Sequence, residues 1–462
     1  MNTAISKRSN GKKVLFACVP ADGHFNPLIR LAKHLQQEGY EIGWYAASKY
    51  ESKLEKLQIS MFRFRKEIDL TISQAELEFP ERAKIKGALN KLKFDLEEFF
   101  IKRGPVYFED IREIYESFPF DLLVADIAFT GSIFVKEILK IPVISIGVLP
   151  LIETSGDLAP SGLGMEPPSD TIDRIQHAVL RFAVKNILLR KPNQLFHQLL
   201  AEKGIAKSNT FLFDLIIKKS DYVLQSGTPG FEYKRRDLSS HIHFIGPLIN
   251  KRPVTNASSW FDNRLLNYEI VLLVTQGTIE KDPNKLLIPS LEAFRESGML
   301  LVVATGGWNT NELKKKYDQP NIIIEDFIDF NDIMPYTDVY ITNGGYGGVM
   351  MSIENKLPMV VAGVHEGKNE ICARVGYFKC GINLKTELPI VKQLQGAVHE
   401  VLNNPEYKQN VEKLSDEFSK YKPDQLFEKY AAELIHLPPK IRIKKEKDTV
   451  KNLSGKLKFT NV

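Results

Sequence analysis

The 462-residue chain is poor in cysteine and has no long apolar run. Three cysteines, Cys18, Cys372 and Cys380, are too few and too scattered for a disulfide framework or a zinc site. They fit a reducing, cytoplasmic compartment. No apolar stretch approaches the ~20 residues of a membrane span. The basic opening segment is not followed by an apolar stretch ending in a cleavage site, so no secretory signal is expected there. Residues 14–20 read instead as a first strand. Excess positive charge is also missing from most of the chain. Residues 440–462 hold eight basic side chains (Lys440, Arg442, Lys444, Lys445, Lys447, Lys451, Lys456, Lys458) against Glu446 and Asp448, a net +6. That leaves about −1 of the whole chain's +5 for the rest, so no nucleic-acid groove is expected in the folded body. The tail, 438–462, reads as a solvated end, with weak peripheral contact to an anionic membrane as the alternative.

What the chain does have is concentrated in residues 338–375. A short apolar run, VYIT, is followed by Asn343-Gly344-Gly345-Tyr346-Gly347-Gly348, a helix-like run over 349–355 and a second apolar run over 359–364. Strand, glycine turn, helix and strand make one right-handed crossover unit. Glycines let the backbone approach a ligand, and the free N–H groups of a helix start favour an anion such as phosphate. A turn kept only for tight strand–helix packing is the competing reading.

Taken in order, residues 13–19 (KVLFACV) form a strand buried on both faces. A turn over 20–27, a helix over 28–39 and a strand over 40–46 complete a β-α-β opening. This opening lacks Gly-x-Gly-x-x-Gly, so a dinucleotide bound at that end is not supported. Residues 51–116 read as helices and loops over the sheet. Further strands are expected at 121–126, 141–146, 222–225 and 242–247, with a long Gly/Pro-rich loop over 149–168 and helix over 173–203. Residues 248–263 read as the linker. The second half restarts with strands at 270–274, 300–304 and 322–325. The expectation is an α/β protein with two doubly wound parallel sheets, Rossmann-like domains facing a central cleft. The domains are placed at 1–250 (acceptor side) and 265–437 (nucleotide side).

The order GHFNP after strand one, LVAD after strand three, TQGT opening the second half, then DFIDF and TNGGYGG, resembles the UDP-sugar-dependent glycosyltransferases of the GT-B fold. The stretch LQSGTPGFEYKRRDLSSHIHFIGPL is similar to the bacterial macrolide-type branch. The resemblance covers about 13–435. It implies that His24 is the catalytic base and Asp126 the carboxylate that orients it, chemistry suited to an acceptor hydroxyl that must lose a proton as it attacks. Read alone, His24 is a surface or capping histidine and Asp126 a satisfied strand-end polar residue. The resemblance further implies donor binding by Thr278, Phe327 (in place of a stacking tryptophan), Asn343 (in place of a phosphate-binding histidine), Gly344, Gly345, Gly347, Gly348, Glu366 and Lys368. Met351 stands where the family carries a ribose-binding glutamate, with Glu354 three residues on, and of a usual Gly-x-Pro only Pro358 is kept.

There is no Asp-x-Asp, and the resemblance implies neither metal nor other cofactor. The expected activity is inverting transfer of a sugar, glucose first, from a UDP-sugar to a hydroxyl of a small lipophilic acceptor. The alternatives are a UDP-sugar epimerase of the same fold and a non-catalytic nucleotide or sugar binder.

Overall fold

The computed structural model describes residues 11–66, 68–69, 78–250, 260–277, 280–365 and 367–436. Two all-parallel sheets organise them. The first runs β3-β2-β1-β4-β5-β6-β7, built from Lys13–Ala17 (β1), Glu41–Ala46 (β2), Ser60–Arg63 (β3), Leu122–Asp126 (β4), Val143–Gly147 (β5), Tyr222–Ser226 (β6) and Ile242–Gly246 (β7). The second runs β10-β9-β8-β11-β12-β13, built from Val271–Thr275 (β8), Leu300–Ala304 (β9), Ile322–Glu325 (β10), Val339–Thr342 (β11), Met359–Val361 (β12) and Gly381–Asn383 (β13). The expected two doubly wound sheets are therefore present. Central strands such as KVLFA, LLVAD and VLLVT are buried along almost their whole length, which is why they read as unbroken apolar runs.

Two strands went unread, β3 and β13. Each is a short edge strand, and SMFR and GIN carry no apolar run. Two helix starts also move. The first helix, α1, spans Asp22–Gln37, so the segment expected to be a turn is already helical, with Pro27 inside it. Further on come α2 (Thr171–Ala183), α3 (Tyr346–Glu354) and α4 (Lys368–Tyr377). Starting α3 at Tyr346 places Gly347 and Gly348 in its first turn rather than ahead of it.

The last described helix, α5 (Pro423–His436), follows the second half in sequence and packs on the first sheet. Its Phe427, Ala431, Leu434 and Ile435 lie in the same apolar core as β1 and α1. Arg30 of α1 grips Asp424 through two bonds of 2.7 and 2.8 Å, and His34 meets Glu428 at 3.1 Å. We therefore propose that the boundary expected at 437 be drawn with α5 on the first body. Most of the linker (251–259) and the basic tail lie outside the described residues.

Because Phe427 is fully buried in the first core, Phe427→Ala should cost about 3–5 kcal/mol of stability. Urea unfolding would show it as a lower midpoint of the transition reported by Trp44, which shares that core. An unmoved midpoint would mean that α5 is not part of that body.

Candidate active site

Each sheet reverses its strand order once. In the first sheet β1 leads to β2 on one side and has β4 on the other; in the second, β8 has β9 on one side and β11 on the other. Loops leaving the carboxyl ends of two such strands diverge, which opens a crevice at that point. In each sheet, side chains or backbone from both strands meet there.

At the first crevice, α1 starts directly after β1 and carries His24 in its opening turn. Asp126 is the last residue of β4 and is fully buried. His24 Nδ1 lies 2.8 Å from Asp126 Oδ1. The same carboxylate accepts from Val19 N and Ala128 N, each at 2.8 Å, so its buried charge is held by three donors. A carboxylate accepts at Nδ1 only from N–H, which leaves Nε2 as the unprotonated nitrogen of the neutral ring. No hydrogen bond to Nε2 is present among the described residues, and the His24 side chain remains partly exposed. The arrangement is a base with one nitrogen fixed and the other free to take a proton.

At the second crevice, Asn343, just past β11, donates its Nδ2 to the backbone carbonyl of Gln276, just past β8. Gly344 follows with φ +81, and a Cβ there would collide with Cys372 Sγ, so only glycine fits. Gly345 is the N-cap of α3 and brings no capping side chain. The N–H of Val349 is the first to bond within the helix, to Gly345 O. The N–H groups of Tyr346, Gly347 and Gly348 precede it, where a helix leaves its donors for a ligand. Gly347 and Gly348 then separate by cause. A Cβ on Gly348 would sit 2.8 Å from the hydroxyl of buried Tyr340, whereas one on Gly347 would meet nothing within 4 Å. Packing explains Gly348 but leaves Gly347 without a structural need.

Lys368 opens α4 alongside this turn; its backbone oxygen lies 3.8 Å from where a Gly344 Cβ would stand. Phe327 stands apart. It comes off β10, the edge strand, with its ring against Gly307, and is 67% exposed. Trp308, half exposed beside Gly307 with Lys281 Nζ 4.3 Å over its ring, is a second aromatic at this sheet end that sequence reading passed over. Its Gly306-Gly307-Trp308 setting was the available signal. Thr278 and Glu366 lie outside the described residues. Met351 packs partly buried against the second core.

Several contacts bring the two bodies together around the crevices. Tyr346, at the start of α3, donates its hydroxyl to Ser226 O at the end of β6, at 2.8 Å. Arg374 of α4 is buried between Glu232, from the first body, and Glu370. Glu370 Oε1 in turn accepts the N–H groups of Gly162 and Gly164, both at 2.8 Å, from the long loop of the first body. Burial works against a charge on Arg374, but the two glutamates outweigh it and hold its pKa above the ordinary arginine value. All three cysteines are free and buried; burial pushes Cys372 and Cys380 up to about 12 and raises Cys18 as well, so none is a thiolate near neutrality.

The family model for UDP-glucoronosyl and UDP-glucosyl transferase matches residues 164–426. The 4'-demethylrebeccamycin synthase of Lentzea aerocolonigenes is 30% identical over 409 residues, covering 88% of this chain and 96% of that one. UDP-glucosyltransferase 1 of Beauveria bassiana is 29% identical over 446 residues, covering 91% and 95%. Among solved structures, CalG4, the calicheamicin glycosyltransferase, superposes with a TM-score of 0.70 at 17% identity, over 93% of this chain and all of that one, which speaks to the fold. The chain belongs to the UDP-glucoronosyl and UDP-glucosyl transferase family. It is a UDP-glycosyltransferase with the GT-B fold, moving a glycosyl group from a UDP-sugar to an acceptor.

The contrast between the two glycines gives a test that needs no substrate. Gly348→Ala should lower the thermal midpoint, at a cost of about 1–3 kcal/mol for forcing Tyr340 aside. Gly347→Ala should be neutral or stabilising by up to about 1 kcal/mol, since a helical glycine gives way to a better helix former. Equal losses in differential scanning calorimetry would mean that Gly347 is also packed.

Proposed function

We propose that the chain is an inverting, metal-independent glucosyltransferase acting on a hydroxyl of a small lipophilic acceptor, with UDP-glucose as donor. The observation that carries this reading is the His24–Asp126 pair, held at 2.8 Å at the switch point of the first sheet. In this reading the acceptor hydroxyl gives its proton to His24 Nε2 as its oxygen attacks the anomeric carbon. The bond from that carbon to the β-phosphate oxygen breaks on the opposite face, its electron pair leaves with UDP, and one displacement inverts the centre. Asp126 keeps the ring in the right tautomer and stabilises the imidazolium that forms.

Charge that builds on the departing diphosphate is met by the free N–H groups of Gly347 and Gly348, by the positive end of α3 and by Lys368. Asn343 supports the turn through its bond to Gln276 rather than supplying charge. Phe327, or Trp308 beside it, offers the exposed ring on which the base stacks. Thr278 and Glu366 are assigned to the phosphates and the sugar by family resemblance alone. The first body, with the 149–168 loop, would take the acceptor; the cavity beside that loop mixes apolar Leu151, Leu158, Pro160 and Met165 with charged Glu153, Arg235, Glu370 and Arg374. Glucose is favoured because several relatives carry the name UDP-glucosyltransferase.

His24→Ala should lower kcat by ~10²–10⁴ with UDP affinity little changed, and Asp126→Asn should act in the same direction with a smaller loss. Steady-state turnover at saturating acceptor together with UDP calorimetry reads both; near-normal kcat in His24→Ala removes it as the base. Gly347→Val should weaken UDP binding at least tenfold while the protein stays folded, and unaltered affinity would move the diphosphate elsewhere. Turnover should persist in excess EDTA. A loss that magnesium restores would contradict metal independence.

A further inference from the structure

Helix α2 and the wider π-type turn that continues it, Val184–Leu188, lie on the surface of the first body with an apolar face turned outward. Ile172, Ile175, Val179, Phe182 and Ile187 are each between 61% and 74% exposed. At 100° per residue the first four fall within an arc of about 80°. The inner side of the element is a different stripe. His177, Val184 and Leu189 are buried, so the outward residues are not left over from incomplete packing of the core face. Isolated exposed apolar residues need no explanation, but a contiguous helical row of five does.

The flanks are cationic. Residues 171–191 contain Arg174, Arg181, Lys185, Arg190 and Lys191 against one acid, Asp173. Asp173 is engaged by Ser169, whose N and Oγ donate at 2.9 and 2.7 Å. Lys185, Arg190 and Lys191 are exposed and make no ion pair among the described residues. Arg174, Arg181 and Lys185 fall on one edge of the apolar arc, with Arg190 and Lys191 just beyond the turn. An apolar face bordered by unpaired cations is the pattern of a helix lying in the interface of an anionic bilayer.

Charge also argues against the other occupants. A second copy docked by the same face would bring two sets of these cations together with little acid to offset them. The chain's own tail, residues 438–462, is itself basic and complements nothing here; it is attracted to the same anionic surface. We propose that the outward face of α2 and its π-type extension docks the protein onto an anionic lipid bilayer. Arg181 donates to the carbonyl of Leu158, so the docked element is tied to the 149–168 loop. If that loop takes the acceptor, as in the function proposed above, docking would turn its mouth toward lipid. The docking itself does not depend on that assignment.

The test is co-sedimentation of the full-length chain with phosphatidylcholine vesicles, and with vesicles in which a third of the lipid is phosphatidylglycerol, at low and high salt. The wild-type chain should pellet with the anionic vesicles, less at high salt. Ile175→Ser/Phe182→Ser should reduce that partitioning at least tenfold. Lys185→Gln/Arg190→Gln/Lys191→Gln should reduce it at low salt and remove most of the salt dependence. Both variants change exposed residues and should keep the wild-type thermal midpoint and UDP affinity. The proposal fails if the wild-type chain stays in the supernatant, or if Ile175→Ser/Phe182→Ser pellets as wild type does, since the tail would then carry the contact. It also fails if sedimentation equilibrium shows a wild-type dimer that Ile175→Ser/Phe182→Ser splits, because the face would then be an interface between copies.

Discussion

The reversal of strand order within each sheet is the constraint from which the site follows. Neighbouring strands whose connections leave in opposite directions cannot close their carboxyl ends with one another's loops. Both reversals are spanned by a side-chain polar link. In the first sheet it is His24 to Asp126, from the residues after β1 to the end of β4. In the second it is Asn343 to the Gln276 carbonyl, from after β11 to after β8. The first link fixes a proton acceptor, while the second fixes the turn that starts a helix with free N–H groups. A nucleophile's proton and a leaving group's charge are the two things a glycosyl transfer must manage, and each crevice is suited to one of them.

Holding the crevices together falls to buried charge. Arg374 reaches from α4 to Glu232 of the first body and to Glu370 beside it, and Glu370 takes the Gly162 and Gly164 N–H groups. A buried ion pair contributes little net stability, but removing one partner strands the other at a cost of about 3–5 kcal/mol. Such a network therefore specifies one arrangement of loop and helix more than it stabilises the fold. α5 crosses back to the first core through Phe427 and the Arg30–Asp424 pair, and Arg30 also donates to Ile249 O at the start of the linker, so the chain's return lies beside its first crossing.

Much of this was legible in the residues. Strands buried on both faces announce themselves as apolar runs, so β1, β4, β8, β9 and β11 were read within a residue or two. Asn343-Gly344-Gly345-Tyr346-Gly347-Gly348 announced a backbone that must bend and leave room. Edge strands β3 and β13 were not legible, because one neighbour and partial exposure impose no apolar pattern. The start of α1 was hidden by Gly23 and Pro27, residues that read as turn; Pro27 stands sixth in α1, beyond the four N–H groups a helix leaves free, so it gives up one intrahelical bond and the tertiary setting prevailed. The pairing of His24 with Asp126 across 102 residues came from family resemblance, since no local spacing encodes a contact made by sheet order. Arg374's partners and the return of α5 were invisible for the same reason. Trp308 was passed over because a lone aromatic in a glycine-rich turn has no periodicity to mark it.

The central claim is that the two switch points hold the two ends of one displacement. A crystal structure of the wild-type protein with UDP and a bound hydroxyl acceptor tests it most directly. The account predicts the diphosphate against the Gly347 and Gly348 N–H groups and the acceptor oxygen about 2.6–3.2 Å from His24 Nε2. A diphosphate seated away from the start of α3, or an acceptor hydroxyl turned to another base with His24 Nε2 facing only solvent, would contradict it.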